Sequence, residues 1–163
     1  IVRSAKPYIA MVNGAAAGAG FNIALACDFL CASKNAKFTQ AFSSIGLIAD
    51  CGGNFLLPRL AGPREAKRLM MLPEKLTAEE AEKLGLTTLV AEDAELREKT
   101  AKLAARLAAM PPLALAEIKK FINEADIFEA TLRREESIQS RLILGEECKE
   151  GITAFFEKRP PKF

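Results

Sequence analysis

The chain contains no histidine. Ser-His-Asp and Cys-His catalysis are excluded on that ground within these 163 residues, and the common zinc ligand sets lose a member they need. Acid–base work must fall to carboxylates, lysines, Tyr8, cysteines or backbone groups. A dominant charge is missing as well: 23 Lys and Arg against 21 Asp and Glu leave a net +2. Such a balance argues for neither nucleic acid nor a membrane surface, although a small anionic ligand stays open. No stretch reaches the roughly 18 uninterrupted apolar residues of a membrane span, and no basic-then-apolar signal opens the chain, so a soluble protein is expected. Cys27, Cys31, Cys51 and Cys148 sit at irregular spacings in apolar or helical surroundings, which reads as reduced core thiols and suits the cytoplasm.

What is present is enough for one domain, since a chain of this length can bury roughly two-thirds of its unfolded surface. Pro7 to Val12 is an apolar run stopped by Asn13-Gly14, the pattern of a buried strand ending in a tight turn. FNIALACDF after the small residues AAAGAG reads as a short buried helix closed by Asp28; FLCAS is a second strand and Phe38 a brief third. Asn54 to Leu60 is a short helix broken at Pro58, and a second follows from Arg64 to Met71 after the LAGP turn. LTAEEAEKLG carries a capping box, Thr77 with Glu80, and a C-terminal Gly85, ahead of the strand TTLVA. Helices are expected over Ala94–Met110, Leu113–Glu124, Ile127–Leu144 and Glu146–Lys158. Arg133, Arg134, Glu135 and Glu136 are assigned to a solvated side. Strands and glycines thus dominate residues 1–62 and helices residues 63–163. Strand-helix-strand order in the first part implies a small α/β layer with parallel pairing. Two or three strands make a poor sheet, which points to strands supplied from elsewhere.

Two stretches can carry chemistry. NGAAAGAGFN joins a strand to a helix start, where small residues let a ligand approach free N–H groups that favour negative charge. Tight helix–strand packing explains the same residues equally well, and neither the dinucleotide nor the P-loop glycine pattern is met. In SIGLIADCGGNFLLPRL a single acid, Asp50, stands beside Cys51 and a glycine pair. Spacing alone leaves open a helix N-cap or turn residue and a functional base. Ile48, Phe42, Phe55 and Leu56 nearby would raise its basicity if they shield it. Asn22 and Gln40 read as satisfied buried amides. Lys158, Arg159 and Lys162 form a basic end that is either solvated or meets a phosphate.

The runs KPYIAMVNGAAAGAGFNIALACD, AKFTQAFSSIGLIADCGGNFLLPRLAG, LTAEEAEKLGL and EGITAFFEKRPPKF, in that order from Lys6 to Phe163, resemble the crotonase (enoyl-CoA hydratase/isomerase) superfamily. The resemblance implies an α/β fold: the C-terminal part of a crotonase-like ββα spiral core, followed by a helical trimerisation region. It implies one domain over residues 1–163 that lacks the family's N-terminal strands, with which one oxyanion donor and much of the coenzyme A surface would be found. It places the second oxyanion N–H at Ala19, with Gly20 beside it. Ala17, Gly18, Phe21, Asn22, Phe42, Ile45 and Phe55 fall at substrate-binding positions, and Lys158 is the candidate for the coenzyme phosphates.

The subfamily is implied by acids. Hydratases of the family use two glutamates, and those places hold Asn22 and Phe42 here. Isomerases place one acid in the stretch matched by GLIADCGG, which makes Asp50 the implied base. The resemblance is strongest to isomerases of ring epoxides and of enoyl thioesters. The expected activity is therefore an acyl-CoA isomerisation, with coenzyme A entering as part of the substrate, no permanently bound cofactor and no metal. A hydratase with atypical acids and a non-catalytic assembly domain are the alternatives. The expected partners are an acyl-CoA thioester and further copies of the chain in a trimer or hexamer, with no nucleic acid and no membrane.

Overall fold

The apolar run after Pro7 pairs as β1 (Ile9–Val12), and the Asn13-Gly14 turn leads directly into another strand, β2 (Ala15–Ala17). The first helix, α1 (Ala19–Leu25), follows, and the same succession repeats as β3 (Phe29–Ser33), β4 (Lys37–Thr39) and α2 (Gly53–Met71). Each turn of this ββα spiral sends one strand to each of two sheets. In the computed structural model, which describes residues 1–123 and 125–163, the first sheet has the order β1-β3-β6, all parallel, with β6 at Leu89–Ala91. The second has the order β2-β4-β5, where β2 runs parallel to β4 and the two-residue β5 (Leu76–Thr77) antiparallel to it.

Helices complete the chain: α3 (Ala78–Lys83), α4 (Asp93–Ala108), α5 (Pro112–Asn123), α6 (Ala125–Leu142) and α7 (Glu146–Glu157). The capping box predicted for α3 is present, with Glu80 N–H donating to Thr77 Oγ1 at 3.2 Å and Thr77 N–H to Glu80 Oε2 at 2.7 Å. Gly85 follows in the left-handed conformation, φ +72°. The expected end of α5 at Glu124 lies outside the described residues.

Three readings of the sequence need correction. NGAAAGAG is more than a turn, because its alanines pair with β4 in the register Ala16↔Phe38 and Ala16 is buried. Residues this small carry weak strand propensity, and only the neighbouring strand selects their conformation. Leu76–Thr77 also forms an unforeseen strand, too short for alternation to reveal. Pro58 does not break its helix. The non-helical residue is Gly62 (φ +81°, ψ +157°), and Pro63 begins the second helical piece, where its missing N–H costs nothing.

The core lies between the two sheets and α1 and α2. Phe21 of α1 and Phe38 of β4 are 1 % and 0 % exposed with ring centroids 5.0 Å apart, each burial contributing about 2 kcal/mol. Leu25, Leu30, Leu57, Leu69, Leu76 and Leu86 close around them. Cys31 and Cys148 are core thiols as expected, whereas Cys51 is exposed at the tip of a turn.

The C-terminal helices are clipped to this core at specific points. Lys119 of α5, 6 % exposed, places Nζ 2.7 Å from Asp28 Oδ2 and 2.9 Å from the Lys6 carbonyl oxygen. Asp28 Oδ2 also accepts the Tyr8 N–H at 2.7 Å. On α7, Gly151 lets the helix backbone rest against Ile45, since a Cβ there would stand 2.5 Å from Ile45 Cα. Lys119→Ala is expected to cost about 3 kcal/mol, because it strands a largely buried carboxylate. Lys119→Met with Asp28→Asn should recover most of that, as read from urea unfolding midpoints.

Candidate active site

The candidate site is built on the connection between β4 and α2. After the 3-10 turn Ser43–Ile45, closed by Gly46 in the left-handed conformation, the chain runs extended to Asp50 and reverses through Cys51 (φ +50°) and Gly52 (φ +79°) into α2. The glycines are required by close approach: a Cβ at Gly52 would overlap the Phe128 ring, and one at Gly53 the Asn22 amide.

Asp50 serves this turn with its backbone. Its carbonyl oxygen accepts the Gly53 N–H at 2.9 Å and the Asn22 Nδ2 at 2.9 Å. The carboxylate does not cap α2: the N-cap position is Gly52, and Asp50 Oδ1 is buried without a hydrogen-bond partner among the described residues. That duty belongs to Glu135 of α6, which the sequence had placed on a solvated side and which is 5 % exposed. Glu135 Oε2 accepts the Gly52 N–H at 2.9 Å; Oε1 accepts the Asn54 N–H at 3.2 Å and the Asn54 Nδ2 at 3.0 Å. A carboxylate at a helix N-terminus satisfies free donors and meets the positive end of the helix dipole. Gln139, one turn further along α6, exchanges two hydrogen bonds with the backbone of Ile48, at 3.3 and 3.1 Å. The Cys51 thiol is pushed up to about 11, first by partial burial, then by its hydrogen bond to Asp50 and the charges of Asp50 and Glu135. It is a poor nucleophile at neutral pH.

Asp50 and Cys51 open on a cavity of about 330 Å³ whose other wall is α6, with Leu132, Glu135, Glu136, Gln139 and Ser140, and Ile143 just past its end. These α6 residues were missed from sequence. Their spacing along the helix is the signal that could have found them, a stripe in which polar Glu135 and Gln139 interrupt an apolar face.

The other predicted residues are distributed as follows. Ala17 ends β2, and Gly18, at φ +52°, sits under the Phe42 ring. Ala19 and Gly20 occupy the first turn of α1, where backbone N–H groups have no intrahelical acceptor. Asn22 is fully buried with both amide atoms engaged, its Oδ1 accepting Gln40 Nε2 at 2.6 Å. Gln40 departs from the satisfied amide expected of it, since its Oε1 is buried without a partner. Phe42 faces a separate cavity of about 380 Å³ against the outer side of α2, with Leu47, Pro58 and Met70. Phe21 is a core residue, and Ile45 is packed beneath α7. Phe55 stacks edge-on with Phe128 at 5.2 Å and lies under the Arg59 guanidinium at 3.6 Å. Lys158 is exposed at the end of α7 in the left-handed conformation, φ +54°.

The ββα spiral has counterparts in known proteins. The profile of the Enoyl-CoA hydratase/isomerase family matches residues 1–163. The chain belongs to the enoyl-CoA hydratase/isomerase family. It is 42% identical over 160 residues to the 1,2-epoxyphenylacetyl-CoA isomerase of Escherichia coli, covering 97% of this chain and 61% of that protein. It is also 42% identical over 159 residues to a probable enoyl-CoA hydratase of Rhodobacter capsulatus, covering 96% and 62%. The crystal structure of an enoyl-CoA hydratase from Mycobacterium avium subsp. paratuberculosis superposes with a TM-score of 0.95 at 41% identity, over 100% of this chain and 67% of that one. The fold is therefore the α/β crotonase-like fold of that family, and the chain spans a little over three-fifths of the length of these two curated relatives.

Asn22→Leu removes the donor to the Asp50 carbonyl and the acceptor for Gln40. We expect it to cost about 1–3 kcal/mol, chiefly from the Gln40 amide N–H left buried without its acceptor, since the Asp50 carbonyl keeps the Gly53 N–H. Chemical denaturation measures that loss, and an unchanged midpoint would refute the linkage.

Proposed function

We propose that the protein carrying this chain is an acyl-CoA isomerase in which Asp50 moves a proton within a thioester substrate. One observation carries the reading: the Asp50 carboxylate takes no part in capping the helix that follows it and faces a cavity, with one oxygen buried and unpartnered. The two positions at which hydratases of the family carry glutamates offer no alternative acid. Asn22 has committed its amide to Asp50 and Gln40, and Phe42 is a buried ring against Gly18.

The chemistry suits a single base. In a 3-enoyl thioester the proton alpha to the carbonyl is acidified by both the thioester and the alkene. Asp50 takes that proton, the electron pair spreads over the dienolate, and the same carboxyl returns the proton at the gamma carbon to give the 2-enoyl thioester. Charge on the enolate oxygen is held by backbone N–H groups, among them that of Ala19 beside Gly20. Of the positions that the resemblance gives to substrate, Asn22 meets the Asp50 carbonyl and Phe42 packs on Gly18. None of Ala17, Gly18, Phe21, Asn22, Phe42, Ile45 and Phe55 lines the cavity between Asp50 and α6, where the acyl group would reach Asp50. Coenzyme A enters with the substrate, and no bound cofactor is needed. A ring-epoxide thioester is a second substrate class for the same base, favoured by the identity to the Escherichia coli isomerase.

Hydration is the competing reading, because hydratases stand among the relatives at equal identity. Self-association into a trimer or hexamer is part of the proposal. Leu113, Phe121 and Ile122 on α5 and Phe155 and Phe156 on α7 are all at least two-thirds exposed and would gain from burial. A cytoplasmic location accords with cysteines that carry no disulfide and with no described helix long and apolar enough to cross a membrane.

Asp50→Asn should lower exchange of the alpha proton of a bound acyl-CoA by about 10²- to 10⁴-fold with the fold intact. Unchanged exchange, or rapid hydration of crotonyl-CoA by the wild-type protein, would overturn the isomerase assignment. The tail offers a separate test. Arg159 and the Lys162 N–H hold the Glu150 carboxyl down to about 2, which ties the tail to α7 and keeps Lys158 at its end. If Lys158 meets the coenzyme phosphates, Lys158→Ala raises KM for acyl-CoA about fivefold and leaves kcat unchanged in steady-state assays.

A further inference from the structure

Resting on the isomerase reading, we infer that Glu135 is a positioning residue for the proton transfer: it holds the turn that carries Asp50, and in doing so frees the Asp50 carboxylate for chemistry. An acid three residues ahead of a helix is within reach of capping it, since the first N–H groups of the helix need an acceptor. In this chain the N-terminus of α2 presents Gly52, Gly53 and Asn54, none of which caps it with a side-chain oxygen. Glu135 fills the vacancy from α6, 83 residues along the chain from Gly52. Its two oxygens take two backbone N–H groups and one amide N–H, and the same Asn54 amide reaches back 2.7 Å to the Ala49 carbonyl. Backbone on both sides of Asp50 is thereby fixed to one carboxylate. Asn22 fixes the Asp50 carbonyl from the opposite side.

The consequence is geometric. Cys51 is held at φ +50°, a conformation that costs an L-residue about 1 kcal/mol or more and persists only when neighbours enforce it. Without Glu135 the free N–H groups of α2 would compete for the Asp50 carboxylate, and the base would be drawn from the cavity toward the helix. A displacement of an ångström at a reacting group can cost about 10²-fold in rate. Since both Glu135 carboxylate oxygens are spent on the turn, the loss should fall on kcat.

The test compares Glu135→Gln, Asn54→Ala and Asp50→Asn in the full-length protein, reading kcat and KM for a 3-enoyl-CoA. It also reads the alkylation rate of Cys51 by iodoacetamide at pH 8, followed by peptide mass spectrometry. Cys51 reports on the turn independently of activity, and most cleanly in Asn54→Ala, which keeps the Glu135 charge that itself raises the thiol. We expect Glu135→Gln to lower kcat about 10- to 100-fold with KM within about twofold, and to accelerate Cys51 alkylation about fivefold or more. Asn54→Ala should shift both in the same direction and less far, and it decides the matter if Glu135→Gln does not fold. Wild-type kcat and alkylation in the Glu135 and Asn54 variants, with Asp50→Asn inactive, would overturn this inference and leave the isomerase reading standing. A loss confined to KM would overturn it as well. Activity retained by Asp50→Asn would instead remove the isomerase reading and the proton-transfer role of Glu135 with it.

Discussion

The turn from Ala49 to Asn54 is held by side chains that arrive from elsewhere, and the rest of the candidate site depends on that constraint. Its own residues are poor at defining a conformation: two glycines, a cysteine at positive φ and an acid whose carboxylate does not cap the helix that follows. Asn22 from α1 and Glu135 and Gln139 from α6 supply what is missing, each meeting backbone groups at hydrogen-bond distance. Hydrogen bonds to a charged acceptor are stronger than neutral ones, so the Glu135 contacts carry the larger share. The arrangement fixes where Asp50 stands relative to the start of α1, because Asn22 is only three residues beyond Ala19 on the same short helix.

This constraint also gives the C-terminal helices a purpose beyond covering the core. The β-strands and α1 can be assembled by apolar packing alone, as Phe21, Phe38 and Leu57 show by their complete burial. Packing of that kind tolerates small shifts, whereas a base must stand within fractions of an ångström of its substrate. The directional contacts are concentrated where α5, α6 and α7 come back to the first part of the chain: Lys119 on Asp28, Glu135 on Gly52 and Asn54, Gln139 on Ile48, Gly151 on Ile45. Surface pairs such as Lys99 with Glu95 and Lys102 with Glu98 hold single helices together and contribute little to this registry.

Much of the local structure was legible because it is encoded locally. The capping box at Thr77, the apolar runs of β1 and β3 and the amphipathic stretches of α4 to α7 depend on neighbours within a few residues. What escaped depends on distant partners. Ala15–Ala17 becomes a strand only because β4 lies beside it, and Leu76–Thr77 only because β4 has another free edge. Glu135 sits in a run of four charges, RREE, and nothing adjacent distinguishes the one that is buried. The importance of Asp50 emerged from its place in a resemblance, not from its spacing, which is equally that of a cap. The structure shows a different residue, Glu135, accepting from the start of α2.

The same contacts explain why an acid at position 50 goes with an amide at position 22. The Asp50 carbonyl accepts from the Gly53 N–H and from Asn22 Nδ2, while Asn22 Oδ1 accepts from Gln40. A glutamate at 22, the hydratase arrangement, would set a carboxylate against that carbonyl, two acceptors with no proton between them, in a fully buried place where the repulsion is not screened. The Gly53 backbone pressed against the Asn22 amide leaves no room for the longer side chain to turn away. Placing the family's water-activating acid at 22 would therefore unfasten the turn that presents Asp50. An acid at 22 and the hydrogen bonds that hold the turn draw on the same few atoms, and this chain has given those atoms to the turn.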